Sequence, residues 1–421
     1  MPERRFRVLA VASHPVQYAA PIFRLMAQHP QLDFHVAYCS MRGAEAAHDP
    51  EFGRSVKWDV PLLDGYTWTH VPNHGSGAES FFGLTNLGLW KLIRQGNFDA
   101  VLSYTGYPHA TFWISFLAAK TTHTAFLFGT DTVTLTPLDG RMWKRPIKRL
   151  AWPLLFRLAD QVIVPSSGTR ELMLCLGIPE QRVTLTPYVV ENDWWLAQSA
   201  SVNRTAVRKS WGASSDDMVV LFCAKLQPWK RPLDLLRAFA EANLSQAFLV
   251  FAGEGPLRSE LASEAASLGI AKRLRFLGFV NQTQLPSIYT AADLLVLPSE
   301  YDAFGVVVNE AMLCGCPVVA SDRVGAARDL IQNGRTGFIY ACGDQRGLAS
   351  LLRRLAANDP APAELGRAAR TRMQSWSPRE NIEATVNAIE SAVSRVRGGA
   401  VPSRPFVAAE AADSSPHKIS E

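Results

Sequence analysis

Short apolar runs alternate with helical patterns along nearly the whole chain, and this alternation limits the fold more than any other feature. A short apolar run bounded by Gly, Pro or polar residues is typical of a buried strand. Strands that alternate with helices form parallel sheets, because each parallel connection needs a crossover segment. We therefore predict an α/β fold with strands at 6–12, 32–38, 98–103, 124–128, 161–165, 218–224, 247–252, 274–277, 293–298 and 317–321.

The predicted strands fall into two groups that are separated by a shift in composition. An aromatic and apolar stretch at residues 187–195 is followed by a polar segment through residue 215. Such shifts mark domain boundaries, and a chain of 421 residues is long enough for two or three domains. We predict an N-terminal domain at 1–195, a C-terminal domain at 196–377 and a disordered tail rich in Ala, Ser and Pro at 398–421.

Composition excludes several classes of protein. With 48% hydrophobic and 19% charged residues, the chain has the composition of a soluble globular protein. A net charge of +5 without a long basic run does not favour a nucleic-acid partner. We expect a cytoplasmic location, because there is no run of eighteen apolar residues and residues 1–5 lead directly into the first strand without a secretory signal. The six cysteines lack metal-ligand spacing, so no metal is predicted.

Two carboxylates follow the predicted strand at 293–298. Asp302 lies in a loop, and Glu310 lies about one turn into a predicted helix at 306–314 that Gly305 should open. In open α/β sheets, ligands bind beyond the carboxyl ends of strands, where the N–H groups of a helix N-terminus attract phosphate. The pattern suits a sugar nucleotide, although a loop Asp before a helix is also a common cap.

A second group of candidate residues begins the C-terminal domain. Lys225 and Lys230 follow the strand at 218–224, where two cations can neutralise a diphosphate whose charge grows as it leaves. Lysines that face solvent beside a turn are the alternative. Gly253 and Gly255 form a short turn after the next strand, which is a weak signal on its own.

The acidic motif carries a resemblance to a known family. Asp302, Phe304-Gly305 and Glu310-Ala-Met, followed by Gly-Cys-Pro-Val-Val-Ala-Ser at 315–321, resemble the signature of the family 4 retaining glycosyltransferases, with Asp302 in place of the first Glu. That family has the GT-B fold. The resemblance implies two Rossmann-like, doubly wound parallel-sheet domains that face each other across a cleft.

The resemblance spans roughly residues 5–395 and also implies where each substrate binds. The last helix, at 378–395, is expected to return to the first domain. The second domain would hold the donor, with Lys225 and Lys230 on the diphosphate, Asp302 on the sugar and Glu310 on the ribose. The remaining donor contacts implied by the family are Gly253, Gly255, Gly278, Phe304, Gly305 and Val306.

The first domain would hold the acceptor, and three of its polar residues follow predicted strands. His14 and His109 can each exchange a hydrogen bond with a sugar hydroxyl, although capping or packing is the alternative. We predict a catalytic role for His109 and a binding role for His14. Asp131 lies in a loop that resembles a family loop near the transferred sugar. The glycine-rich loop that family members often have after the first strand is absent.

The predicted function is transfer of a hexose from a UDP- or GDP-sugar to a glycan or lipid-linked acceptor, with retention of configuration and without a required cofactor. Two alternatives remain. A sugar-nucleotide epimerase or hydrolase could use the same fold and donor site, and so could a non-catalytic protein that binds sugar nucleotides.

A basic segment at 141–152 mixes cations with tryptophans. That mixture suits a peripheral contact with anionic lipid at the inner face of a membrane. An ordinary solvated helix face explains it equally well, and Pro146 is expected to interrupt the helical pattern.

Overall fold

A computed structural model describes residues 5–45, 47–49, 54–137 and 140–399 of the chain. The predicted disorder of the C-terminal tail lies outside the described residues from residue 400 onward. The strands before residue 200 in this part of the chain are β1 (Phe6–Ala12), β2 (Leu32–Tyr38), β3 (Ala47–Asp49), β4 (Arg54–Val56), β5 (Thr67–His70), β6 (Ala100–Ser103), β7 (Ala125–Gly129), β8 (Gln161–Val164) and β9 (Val183–Leu185). Those that follow are β10 (Met218–Cys223), β11 (Ala247–Ala252), β12 (Leu274–Gly278), β13 (Leu294–Leu297), β14 (Val318–Ser321) and β15 (Gly337–Tyr340).

The α-helices lie between and after the strands. Those in the first half are α1 (Ala20–Gln28), α2 (Gly88–Gln95), α3 (Ala110–Thr121), α4 (Lys144–Leu158), α5 (Ser167–Cys175), α6 (Asn192–Ala200) and α7 (Arg204–Ser210). Those in the second half are α8 (Pro232–Ala242), α9 (Arg258–Ser267), α10 (Leu285–Ala291), α11 (Val307–Leu313), α12 (Gly325–Leu330), α13 (Gln345–Ala356), α14 (Pro362–Arg372) and α15 (Pro378–Val396).

The strands form two large parallel sheets, which confirms the predicted α/β architecture. The first sheet has the order β5-β2-β1-β6-β7-β8-β9, and the second has the order β12-β11-β10-β13-β14-β15. In each sheet the strand order reverses at one point, between β1 and β6 in the first and between β10 and β13 in the second. Because crossover helices diverge at such a reversal, a crevice opens there at the carboxyl ends of the strands.

Central strands are buried on both faces, which explains their continuous apolar sequences. Every residue of β10 is buried, and Val8 to Val11 of β1 have no exposed surface. The sequence analysis missed β3, β4, β5, β9 and β15. Strands β3 and β4 form a two-stranded antiparallel sheet with each other, and β5, β9 and β15 lie at the edges of the two large sheets. An edge strand has fewer neighbours in the core, so its sequence carries a weaker apolar pattern.

The last helix, α15, packs against β7, β8 and β9 of the first sheet. It begins with a capping box. The Ser377 hydroxyl accepts a hydrogen bond from a backbone N–H of the first turn, and the Glu380 carboxylate accepts one from the Ser377 backbone N–H. The Asn381 side-chain amide donates to the Pro187 carbonyl at 2.8 Å. This hydrogen bond holds α15 against the segment that leads from the first sheet to the second. The residue at which one domain ends and the next begins, 195 in the sequence analysis, stays a prediction.

The expectation that Pro146 interrupts a helix is wrong. α4 begins at Lys144, so Pro146 lies in the first turn, where a backbone N–H would have no acceptor within the helix. A further proline, Pro153, lies inside the same helix. Among the described residues, no helix combines the length and the apolar sequence that crossing a membrane requires.

Candidate active site

The loops that follow β10, β11 and β12 are held together by glycines. Gly253 has φ +150°, and a Cβ there would lie 1.9 Å from the Ala224 carbonyl oxygen. At Gly255, a Cβ would lie 2.6 Å from the Leu226 carbonyl oxygen. The two glycines therefore let the backbone around Lys225 lie directly against the neighbouring loop. The Gly253 N–H donates to the Gly278 carbonyl at 2.8 Å, which holds the end of β12 against the loop after β11.

Lys230 and Asp302 form an ion pair across the strand reversal of the second sheet. Lys230 Nζ lies 2.6 Å from Asp302 Oδ2, and each side chain is 18% exposed. Lys230 follows β10 and Asp302 follows β13, so the pairing of these two strands brings the residues together. Partial burial of both charges favours pairing, because an unpaired charge there would lose hydration without compensation. A predicted diphosphate contact and a predicted sugar contact are therefore direct neighbours.

Glu310 lies on α11 and is buried. Its Oε2 accepts a hydrogen bond of 2.8 Å from the Tyr289 hydroxyl, which also contacts Cys223 Sγ at 3.3 Å. Burial raises the pKa of Glu310 to about 7, an effect that the Tyr289 hydrogen bond opposes. Sequence reasoning missed Tyr289, because a tyrosine in an apolar helical segment reads only as a core residue.

The segment before α11 turns sharply at Gly305, which has φ +92°. Phe304 is 2% exposed, and its ring packs against Tyr188 and Trp376 with centroid distances of 5.3 and 6.3 Å. The Phe304 side chain is thus part of the contact between the domains, and only its main chain can face a ligand. Val306 directly precedes α11, whose first N–H groups have no acceptor within the helix.

A cavity of about 490 Å³ lies at the carboxyl ends of β1, β6 and β7 in the first sheet. His14 and Asp131, both predicted from the sequence, line it. Tyr301 from the second domain also lines it, directly before Asp302. The cavity and the Lys230–Asp302 pair are therefore joined by a single loop.

Five tyrosines line this cavity, and the sequence analysis did not single them out. Burial, followed by the Asp131 carboxylate, raises the pKa of Tyr18. Burial raises the pKa of Tyr301 too, with Asp131 and Asp302 contributing. Burial raises the pKa of Asp131 too, although part of this residue is exposed to solvent. The phenols are therefore neutral O–H donors beside a carboxylate, a suitable environment for sugar hydroxyls.

The two predicted histidines have different surroundings. The His14 Nδ1 lies 3.0 Å from Ser13 Oγ, and burial, with a contribution from Arg42, lowers the pKa of His14. Its imidazole is therefore neutral at neutral pH. His109 lies before α3, and its Nδ1 donates to the Ser80 carbonyl oxygen at 3.2 Å. The structure does not bring His109 to the cavity.

The part of the chain that the structure describes contains no group of three or more His, Cys, Asp or Glu side chains that could hold a metal ion.

Sequence comparison places these two halves in known families. The model for glycosyl transferases group 1 matches residues 203–372, and the model for the glycosyl transferase 4-like domain matches residues 5–189. The chain is 33% identical over 256 residues to the D-inositol 3-phosphate glycosyltransferase of Saccharomonospora viridis, a match that covers 58% of each chain. A protein of the same name from Geodermatophilus obscurus is 30% identical over 333 residues, or 73% of each chain. The match spans little more than half of the length of the Saccharomonospora protein.

Solved structures share the fold at low sequence identity. HepE of Anabaena in complex with UDP-glucose superposes with a TM-score of 0.69 at 19% identity, covering 91% of this chain and 100% of HepE. WaaG, a glycosyltransferase involved in lipopolysaccharide biosynthesis, has a TM-score of 0.61 at 16% identity, covering 93% of this chain and 100% of WaaG. The fold is GT-B, as the sequence motifs predicted. Together with the family models and the Geodermatophilus relative, it shows that this chain belongs to the group 1 glycosyltransferases of family 4.

Proposed function

We propose that the protein transfers a hexose from a UDP-sugar to a hydroxyl group of a glycan or lipid-linked acceptor, with retention of configuration. One observation carries this proposal. A single loop after β13 supplies Asp302 to the ion pair with Lys230 and Tyr301 to the cavity of the first domain. A donor sugar beside Asp302 would therefore lie at the edge of a cavity large enough for an acceptor sugar.

The donor contacts are assigned to the second domain. Lys225 and Lys230 compensate the charge that grows on the diphosphate. When the donor binds, Asp302 accepts hydrogen bonds from the sugar hydroxyls in place of its ion pair with Lys230. Glu310 accepts hydrogen bonds from the ribose through the carboxylate oxygen that Tyr289 does not use. In this scheme the charge of the departing diphosphate is compensated by protein cations, so no cofactor is required.

Uridine is the base we propose, because HepE has been solved with UDP and with UDP-glucose. The loops at Gly253, Gly255 and Gly278 bring main chain close enough to meet a nucleotide, since none of the three carries a side chain. The main chain at Phe304, Gly305 and Val306 would face the phosphates.

The transfer is a front-face substitution. The bond between the anomeric carbon and the diphosphate oxygen breaks, and its electron pair stays on the diphosphate. The acceptor oxygen bonds to the anomeric carbon on the same face, and a diphosphate oxygen takes the proton of the acceptor hydroxyl. Positioning and charge compensation supply the catalysis.

In the first domain, neutral His14, Asp131 and the cavity tyrosines are proposed to hold the acceptor through hydrogen bonds. His109 is left out of this scheme because it does not line the cavity proposed for the acceptor, and its catalytic role stays a prediction. A cytoplasmic location is also proposed. It is supported by the six cysteines, none of which forms a disulfide, since disulfides are rare in reducing compartments.

Release of UDP from UDP-glucose and from related UDP-hexoses, with and without acceptor, tests this function. We expect UDP release to depend on a soluble oligosaccharide or a lipid-linked sugar. Equal release without acceptor would identify a hydrolase, and binding without any turnover would identify a non-catalytic protein. The anomeric configuration of the product, read by proton NMR, tests retention separately.

A further inference from the structure

The outward face of α4, with the residue before it, carries a stripe of largely exposed apolar side chains. Trp143, Ile147, Leu150 and Leu154 are 61%, 54%, 76% and 67% exposed, and their spacing places them on one side of the helix. We call these four residues the outer stripe. Adjacent exposed apolar side chains of this size are uncommon on monomeric proteins and mark an interaction surface.

The outer stripe is not needed to hold α4 in place. Trp152 and Phe156, on the opposite face, are 5% and 1% exposed. The Phe156 ring stacks on Phe128 at 5.3 Å, and Trp152 Nε1 donates to the Tyr107 hydroxyl at 2.9 Å. α4 is therefore anchored through its inner face, and the outer stripe remains for a partner.

Charge identifies the partner. Residues 141–158 contain six Arg or Lys and no Asp or Glu. Arg145 and Arg149 are exposed, and the Lys144 and Lys148 ammonium groups lie over the rings of Trp143 and Trp152 at 5.8 and 4.8 Å. We propose that the outer stripe inserts into the surface of an anionic lipid bilayer while the flanking cations contact lipid headgroups. A second copy of the chain fits less well, because a symmetric pair would bring like charges together.

The same helix forms a wall of the cavity, since Lys148 and Trp152 line it. A second exposed apolar pair, Phe81 and Phe82, lies near the cavity wall, because the Phe81 carbonyl accepts a hydrogen bond from Ala110, two residues beyond Pro108 of that wall. Trp152 lies on the helix face opposite the outer stripe, so docking through the stripe leaves the cavity behind α4, about one helix diameter of 10–12 Å from the bilayer surface. Resting on the proposed function, this separation favours a lipid-linked acceptor whose sugar stands away from the headgroups.

Co-sedimentation of the full chain with vesicles tests the docking. Wild type should sediment with vesicles of phosphatidylcholine and phosphatidylglycerol and stay in solution with phosphatidylcholine alone. The double variant Leu150→Gln/Leu154→Gln should lose about 100-fold in partitioning, because two inserted leucines are removed. Leu268→Gln, a matched control at an exposed leucine after α9, should bind as wild type. Arg145→Gln/Arg149→Gln should lose about fivefold per cation and depend less on salt.

Wild-type protein that stays in solution with anionic vesicles would overturn the docking, and so would an equal loss in the Leu268→Gln control. If light scattering shows a wild-type dimer that the Leu150→Gln/Leu154→Gln variant converts to a monomer, the partner is a second copy instead. UDP affinity and UDP-glucose turnover with a soluble acceptor, measured on the same variant, should match wild type. A wild-type protein that binds vesicles but does not bind UDP would refute the proposed function and leave the docking intact.

Discussion

At the scale of single residues, Lys230 and Asp302 form one ion pair, but a diphosphate would be attracted by Lys230 and repelled by Asp302. On the proposed assignment, Lys230→Ala would remove a charge-assisted contact with the leaving group, for which about 1.5–3 kcal/mol is typical. We expect kcat/KM for the UDP-sugar to fall roughly 10- to 100-fold. Steady-state kinetics measure this, with the exposed Lys272→Ala as the control. A Lys230→Ala variant with wild-type kinetics and unchanged UDP affinity would remove Lys230 from the donor site.

Asp302→Asn should separate binding of the diphosphate from use of the sugar. Asp302 pairs with Lys230. If Lys230 also binds the diphosphate, as proposed, the variant should bind bare UDP as tightly as wild type or more tightly. Its turnover of the intact donor should fall, since a hydrogen-bond acceptor for the sugar is weakened. Calorimetric titration with UDP and with the UDP-sugar distinguishes the two effects. Equal losses of affinity for both ligands would contradict the assignment.

Glu310 should make stability depend on pH. Burial raises its pKa from 4.5 to about 7, so between these values the folded chain binds more protons than the unfolded chain. The free energy of unfolding should therefore decrease as pH rises through this window, by at most about 3 kcal/mol. Glu310→Gln should lack this decrease, whereas Glu364→Gln at an exposed site should retain it. Urea unfolding across the window measures it, and parallel profiles for wild type and Glu310→Gln would count against a buried carboxylate.

The sequence indicated Lys230, Asp302 and Glu310 through their place beyond strand ends together with the family motif, because each residue alone has a common structural role. It could not indicate that Lys230 and Asp302 pair, since they lie 72 residues apart and meet only through the pairing of β10 with β13. Tyr289 and Tyr301 were missed for a different reason. A tyrosine in an apolar or loop segment has many structural roles, and only the fold shows which group its hydroxyl faces.

At the scale of elements, the loop after β11 depends on the absence of a side chain at Gly253. A Cβ there would lie 1.9 Å from the Ala224 carbonyl carried by the loop after β10, and φ is +150°. Gly253→Ala should therefore cost several kcal/mol or prevent folding, since backbone would have to move in addition to a strain of about 1–3 kcal/mol. Gly269→Ala is the control, with φ +71° and open space around the position, and it should show strain alone. Thermal unfolding compares the two variants, and similar midpoints would show that the contact at Gly253 is not restrictive.

Prediction of the elements succeeded where burial is deepest. β1, β2 and β11 were predicted to the residue, because most of their residues are buried apolar side chains; the exposed Arg7 and Asp33 each interrupt the run only near its start. The edge strands β5 and β15 escaped detection, since an exposed face tolerates polar residues. The outer stripe of α4 shows the opposite problem. Its apolar residues look like core residues in the sequence, and only the fold shows that they face solvent.

At the scale of the whole molecule, the two strand reversals face each other and one loop after β13 serves both. Tyr188 is the centre of this arrangement: its carbonyl accepts from the Asn309 side chain at 2.9 Å and from Trp376 Nε1 at 2.7 Å. The family motifs predicted two facing domains, but not how the cavity of one meets the loop of the other. That relation depends on contacts between residues more than a hundred positions apart, which a single sequence does not reveal.

Calorimetric titration of the full chain with UDP and GDP measures whether a nucleotide site lies at the strand reversal of the second sheet. We expect wild type to bind UDP, and we expect Lys230→Ala and Glu310→Gln each to weaken UDP binding by roughly tenfold or more, as loss of one charge-assisted hydrogen bond implies. Lys272→Ala should bind as wild type. Wild-type protein that binds neither nucleotide, or variants that bind UDP as wild type does, would contradict a nucleotide site at this position.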